Sequence, residues 1–204
     1  LMKEEFMKSA IALAEKGRGF TNPNPLVGAV IVKNGKIIAE GWHHKLGSLH
    51  AERDALKNAA EKNVDVRGAS IYVTLEPCCH TGRQPPCTQA IIESGISEVI
   101  YGSSDPNSLV NGKGKKILEA AGIKVAAGFL KEECDKLNPV FFHYIKNKMP
   151  YVILKYAMTA DGQTATSKAE SRWITGQLAR KNVHQTRANV MAVLTGIGTA
   201  KKDN

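Results

Sequence analysis

Three of the four cysteines in this 204-residue chain, Cys78, Cys79 and Cys87, fall within ten residues. That cluster constrains the fold more than any other feature. The N-terminal run Lys3-Glu4-Glu5-Phe6-Met7-Lys8 is charged and then amphipathic, unlike the uninterrupted apolar region of a secretory signal. A cytoplasmic protein with reduced thiols is therefore expected, and crowded cysteines in such a chain read as metal or redox chemistry. Residues 71–75 read as a short apolar strand running directly into Glu76-Pro77-Cys78, and Pro85-Pro86-Cys87 opens a helix predicted over 87–94. Both Cys78 and Cys87 follow prolines, which are tolerated at helix starts. Each is expected at a helix N-terminus, where the dipole favours the thiolate that binds metal.

Periodicity places the other elements. Phe6, Ala10 and Leu13, with Met7, Ile11 and Ala14, follow the spacing of a helix over 3–17 that Gly17 and Gly19 end. Asn22-Pro23-Asn24-Pro25 is a loop. Residues 27–32 and 37–42 read as a hairpin turning at Asn34-Gly35, which tolerate positive φ. Helices over 50–62, 112–121 and 131–145 and strands over 98–101 and 123–126 follow. Strands alternating with helices predict an α/β sandwich with a mixed sheet, parallel after the first antiparallel pair. Residues 146–150 read as a linker between a domain over 1–146 and a segment over 150–204. In that segment a strand over 151–156, a helix over 176–188 and a strand over 190–194 restart the pattern. With only about 55 residues, at the low edge of what buries its own core, it is expected to be a truncated second domain.

No apolar stretch approaches the ~20 residues that cross a bilayer, so no membrane partner is expected. A net charge of +9 favours anionic partners such as phosphates and nucleotides. The lysines are spread along the chain and are not gathered with aromatics, which speaks against nucleic acid.

The chemistry concentrates in His50-Ala51-Glu52, Pro77-Cys78 and Cys87. One imidazole and two thiolates make a neutral three-ligand zinc site whose fourth position is open to water, as catalytic zinc requires. The donor set favours zinc among divalent metals. His50 and Glu52 are two apart, and both can face one centre only at the first turn of a helix. Glu52 is then free to take a proton from water and deliver protons to a substrate. The order His-x-Glu, Pro-Cys, Cys resembles the zinc-deaminase pattern, although eight residues separate Cys78 from Cys87 where the commoner form has two. A structural zinc with His80 or Cys79 as fourth ligand is the competing reading, and it leaves Glu52 without a task.

These runs, with Tyr72-Val73-Thr74-Leu75-Glu76, Gly82-Arg83-Gln84-Pro85-Pro86, Asn24-Pro25-Leu26-Val27-Gly28 and Asp105-Pro106-Asn107, resemble the bifunctional deaminase/reductase family of bacterial riboflavin biosynthesis. Leu154-Lys155, Asp161-Gly162 and Ser171-Arg172-Trp173-Ile174-Thr175 extend the resemblance into the second segment. It implies a cytidine-deaminase-like three-layer α/β/α sandwich followed by the start of a dihydrofolate-reductase-like α/β domain. It also implies a phosphorylated pyrimidine substrate, the diaminopyrimidinone bearing a phosphoribosylamino group. Zinc would serve the deaminase and NADPH the reductase. Asn24 either offers its amide to the ring or is a turn residue; His43 either contacts the base or ends a hairpin in solvent. Arg83 either binds the phosphate or is a surface charge. The resemblance further implies cofactor contacts at Ala157, Trp173, Thr199 and Asp203, and substrate contacts at Ser171 and Arg187. Gly196-Ile197-Gly198-Thr199 follows a predicted strand and either lets a phosphate approach the backbone or marks only a turn, whereas no G-x-G-x-x-G is present. The usual reductase half is far longer than this segment. Thr159-Ala160-Asp161-Gly162 and Lys168-Ala169-Glu170 depart from the family's loops. A homo-oligomer is compatible with all of this. The rival readings are a nucleic-acid-editing deaminase, which predicts binding steeply dependent on salt, and a zinc-stabilised module without catalysis.

Overall fold

The computed structural model describes residues 2–82, 84–107, 110–168 and 170–202. The chain divides into two compact units, Leu1–Tyr151 and Val152–Asn204. In the first, α1 (Glu4–Glu15) precedes the hairpin β1 (Gly28–Lys33) and β2 (Lys36–Trp42). Then come α2 (Ala51–Glu61), β3 (Ser70–Leu75), α3 (Cys87–Glu93), β4 (Glu98–Ser103), α4 (Lys113–Ala120) and β5 (Lys124–Ala127). Two short helices, α5 (Lys131–Asp135) and α6 (Pro139–Asn147), close the unit.

The five strands form one mixed sheet in the order β2-β1-β3-β4-β5. β1 runs antiparallel to both β2 and β3, while β3, β4 and β5 are parallel. The hairpin turns at Asn34 (φ 53°) and Gly35 (φ 72°), the two left-handed residues a two-residue turn demands. Strand alternation sorts the core into two layers. Ala29, Ile31, Ile71, Val73, Val99 and Tyr101 point to one face and bury against Ala51, Ala55 and Ala59 of α2, Ile91 of α3 and Leu118 of α4. Val30, Val32, Tyr72 and Ile100 point to the other, against Phe6, Met7, Ala10 and Leu13 of α1 and Cys134 of α5. This is the three-layer α/β/α sandwich. Each fully buried isoleucine or leucine contributes about 1.5–3 kcal/mol relative to exposure.

Two glycines set how closely the helices lie on the hairpin. A Cβ on Gly28 would stand 2.0 Å from the Ala10 carbonyl of α1, and one on Gly41 would stand 2.2 Å from the Ala55 nitrogen and 2.5 Å from the Ala51 carbonyl of α2. Backbone therefore rests on backbone at the N-terminal turn of α2.

The helix expected over 131–145 is instead two, α5 and α6, separated at residues 136–138. Pro139 at the first turn of α6 cannot continue the preceding helix, because it lacks an N–H and its ring meets the carbonyl four residues back. Asn138, buried at this break, accepts a hydrogen bond from the Leu26 N–H (2.7 Å) and donates one to the Leu26 carbonyl (2.8 Å).

In the second unit the structure has α7 (Gln177–Asn189) and α8 (Ile197–Lys202). The strands expected over 151–156 and 190–194 are not formed: those residues carry no regular structure, and Val152 (80%), Leu154 (82%) and Leu194 (100%) are exposed. A strand exists through its hydrogen-bonded neighbour, and no strand pairing is present among the described residues of this unit. The Gly196-Ile197-Gly198-Thr199 run, expected to follow a strand, lies largely within α8. No helix among the described residues is long and apolar enough to cross a membrane.

Because the Gly41 contact is backbone against backbone, Gly41→Ala is expected to lower stability by about 1–3 kcal/mol, read as an earlier urea midpoint at unchanged m-value.

Candidate active site

The site forms at the end of the sheet where β2 and β3 finish and β1 begins. His50 is the residue preceding α2, with extended backbone (φ −71°, ψ 158°), and Glu52 lies in the first helical turn. The non-helical backbone at His50 frees its side chain from the angular step of a helix, so two residues at i and i+2 reach one centre. Cys87 is the first residue of α3 and is fully buried. Cys78 departs from expectation: it lies in an irregular segment after β3, and no helix starts there. Its sulfur instead accepts the N–H of Cys87 (3.4 Å), and its carbonyl accepts the N–H of Thr88 (3.1 Å). Backbone donors at the start of α3 thus face the neighbouring cysteine.

His50 Nδ1 stands 3.5 Å from Cys78 Sγ and 3.4 Å from Cys87 Sγ, and all three ligand atoms lie within 4.8 Å of one another. Tetrahedral zinc with Zn–S of about 2.3 Å and Zn–N of about 2.05 Å separates nitrogen from sulfur by about 3.6 Å, so the trio fits the ion. Neither Cys79 nor His80 joins the group among the described residues. The Cys78 thiol is held well below its ordinary range by hydrogen bonds from Cys87 and His50, and Cys87 is pushed up by sharing that proton with Cys78 and by burial. His50 is raised by its hydrogen bond with Cys78. Glu52, 4% exposed, is pushed up to about 7 by burial and then by the charge on Cys78.

His43 and Asn24 adjoin this trio. The His43 ring stands edge-on to His50 with centroids 5.6 Å apart. Its Nδ1 lies 2.9 Å from the Leu49 carbonyl and its Nε2 3.1 Å from Asn24 Nδ2. A carbonyl only accepts, so Nδ1 carries the proton and Nε2 accepts from the Asn24 amide. Burial holds His43 below its ordinary pKa, in keeping with a neutral ring. Asn24 sits two residues before Leu26, which Asn138 pins from both sides.

The other predicted residues are not gathered here. Arg83 and Asp203 lie outside the described residues. Ala157, Ser171, Trp173, Arg187 and Thr199 all belong to the second unit. Ser171, Arg187 and Thr199 are exposed, and Trp173 is 71% exposed with the Arg180 guanidinium 4.2 Å from its ring centroid. An open depression of about 510 Å³ in that unit is lined by residues including Thr159, Asp161, Thr166 and Ile174, but not by Ala157, Trp173 or Thr199. Sequence reasoning missed Arg53, Glu76 and Asn138. Glu76 is buried; its Oε2 accepts from the Gly112 N–H (3.2 Å), while Oε1 has no hydrogen-bond partner among the described residues. Its place directly before Pro77-Cys78 was the available signal. Cys134 is a buried core thiol pushed up to about 12 by burial.

Residues 2–103 match the family described as the cytidine and deoxycytidylate deaminase zinc-binding region, and residues 150–204 match the RibD C-terminal domain. The riboflavin biosynthesis protein RibD of Actinobacillus pleuropneumoniae is 58% identical over 200 residues, covering 98% of this chain and 52% of that protein. That of Aquifex aeolicus is 50% identical over 201 residues, covering 98% of this chain and 56% of that protein. The crystal structure of a diaminohydroxyphosphoribosylaminopyrimidine deaminase/5-amino-6-(5-phosphoribosylamino)uracil reductase from Thermotoga maritima is 52% identical with a TM-score of 0.92, covering 98% of this chain and 57% of that one. The chain thus spans about half the length of the curated relatives it matches.

Metal analysis is expected to find about one zinc per chain. Cys78→Ser, Cys87→Ser and His50→Ala should each lose it on dialysis against a chelator concentration that leaves the native protein loaded, and Cys134→Ser should keep it.

Proposed function

We propose, since the chain belongs to the cytidine and deoxycytidylate deaminase zinc-binding family, that its first unit hydrolyses the 2-amino group of 2,5-diamino-6-(5-phosphoribosylamino)pyrimidin-4-one in riboflavin biosynthesis. The observation that carries this reading is a ligand trio accompanied by a buried carboxylic acid. The described metal group holds three residues, and Glu52 is buried beside them with its carboxyl interacting with Cys87. A structural site closes with four protein ligands and has no use for an adjacent acid. The substrate assignment is supported by the similarity of 98% of this chain to riboflavin-biosynthesis deaminase/reductase relatives.

His50, Cys78 and Cys87 would hold the zinc, which supplies the Lewis acidity that makes water nucleophilic near neutral pH. Glu52 takes the proton of the attacking water at its carboxylate. It then delivers protons to the ring nitrogen and to the departing amine, which leaves as ammonia. Its burial keeps bulk water from short-circuiting that transfer. Asn24, its amide N–H engaged by His43, presents Oδ1 as an acceptor for the amino edge of the pyrimidine. The Leu49 carbonyl fixes the His43 tautomer and so fixes which way Asn24 points. Arg83 supplies a cation for the substrate phosphate.

The second unit is the start of a reductase that, in a full-length protein, reduces the ribosyl group to ribityl with NADPH. The match of residues 150–204 to the RibD C-terminal domain supports this. In that assignment Ala157, Trp173, Thr199 and Asp203 contact the cofactor, and Ser171 and Arg187 contact the substrate.

The test is ammonia release by metal-analysed protein on the diaminopyrimidinone ribosyl phosphate, with cytidine and a tRNA stem-loop in parallel. Turnover of the first alone is expected; turnover of the stem-loop alone would replace this reading with nucleic-acid editing. Glu52→Gln is expected to keep zinc and lose about 10²–10⁴-fold in turnover, and full turnover by that variant would remove Glu52 from the proton path.

A further inference from the structure

Eight residues separate Cys78 from Cys87, where the commoner Pro-Cys-x-x-Cys form of zinc deaminases has two. A long connection between two ligands to one ion carries a larger closure entropy and gives the second sulfur more room to leave. Cys87 opens α3, so its sulfur goes wherever the loop carries the helix start. The residues immediately before it, Pro85 and Pro86, have no backbone N–H. Within that dipeptide only the carbonyls are available as backbone hydrogen-bonding groups.

One side chain takes both. Arg53 Nε donates to the Pro85 carbonyl (3.1 Å) and Arg53 Nη2 donates to the Pro86 carbonyl (2.9 Å). Arg53 stands in the first turn of α2, three residues after His50 and next to Glu52. The helix start that carries the imidazole and the acid thereby grips the backbone that delivers the second thiolate. A guanidinium suits this task because its planar fork holds two acceptors at once and never loses its charge. A lysine is a single point donor, and a carboxamide has no charge. By contrast, the approach of Gln84 Nε2 to the Gly47 carbonyl is long, at 3.4 Å.

We propose that Arg53 is a positioning residue for the zinc ligand Cys87, clamping the Pro85-Pro86 carbonyls to α2 so that the third ligand stays in register with His50. This builds on the zinc-site reading above and adds a role that neither the ligand pattern nor the acid requires. Arg53 is only half-buried, so its replacement leaves the core packing intact.

The experiment follows zinc release from the loaded protein to a chromophoric chelator for wild type, Arg53→Met and Arg53→Lys. The visible spectra of the cobalt(II)-substituted proteins are recorded in parallel. Arg53→Met, which keeps the aliphatic stem and removes the fork, is expected to release zinc about tenfold faster or more and to shift the thiolate–cobalt bands. Arg53→Lys should fall between it and wild type. A release rate and cobalt spectrum of Arg53→Met identical to wild type would overturn the proposal. So would faster release with unaltered cobalt bands, which marks a general loosening of the fold. Wild-type protein that binds no zinc would instead bring down the reading of the metal centre itself, and this proposal with it.

Discussion

The contact between α2 and β2 is the constraint from which the rest of the first unit follows. Gly41 has no side chain, and the helix residues facing the sheet are Ala51, Ala55 and Ala59, so the helix axis settles close to the strand. That approach decides where the N-terminal turn of α2 ends up. His50 and Glu52 are then delivered to the rim of the sheet, where β3 hands over Cys78. A bulkier residue at position 41 would lift the imidazole and the acid together, away from sulfurs that belong to other elements. Packing and chemistry are therefore one problem at this point in the molecule.

The charges near the centre are arranged so that each neighbour restrains another. Cys78 accepts from the backbone of Cys87, His50 faces both sulfurs through the same nitrogen, and Glu52 is buried beside them. Two thiolates and a divalent cation sum to zero, which is the least costly way to keep so many ionisable groups out of water. The wall formed by His43 and Asn24 is neutral as well, with each hydrogen-bonding atom assigned by the one behind it. Such a wall offers donor and acceptor geometry and no net charge.

How much of this could be read from the sequence differs by element. The hairpin was legible because Asn34-Gly35 is a local signal and both residues do take positive φ. The ligand pattern was legible because its spacing is chemical and its residue types are few. The single helix over 131–145 failed at Pro139, where a local rule outranked the apolar periodicity. Residues 151–156 and 190–194 have strand composition, but pairing is non-local and composition does not supply a partner. The assignment of Cys78 to a helix start failed for a related reason: the amide its sulfur accepts comes from the next element, not its own. Arg53 was invisible for a different cause. Its acceptors are carbonyls, which every residue has, so no residue type marks the interaction.

The bond between Asn138 and Leu26 joins positions 112 residues apart. A ribosome releases the chain from its N-terminus, so His50, Cys78 and Cys87 have all emerged before the side chain that staples the Asn24 loop exists. The trio is complete in the emerged chain while the Asn24 loop still lacks its fastening from Asn138. The order of synthesis thus separates the two: the residues of the trio precede, by about fifty positions, the side chain that fastens the neighbouring loop.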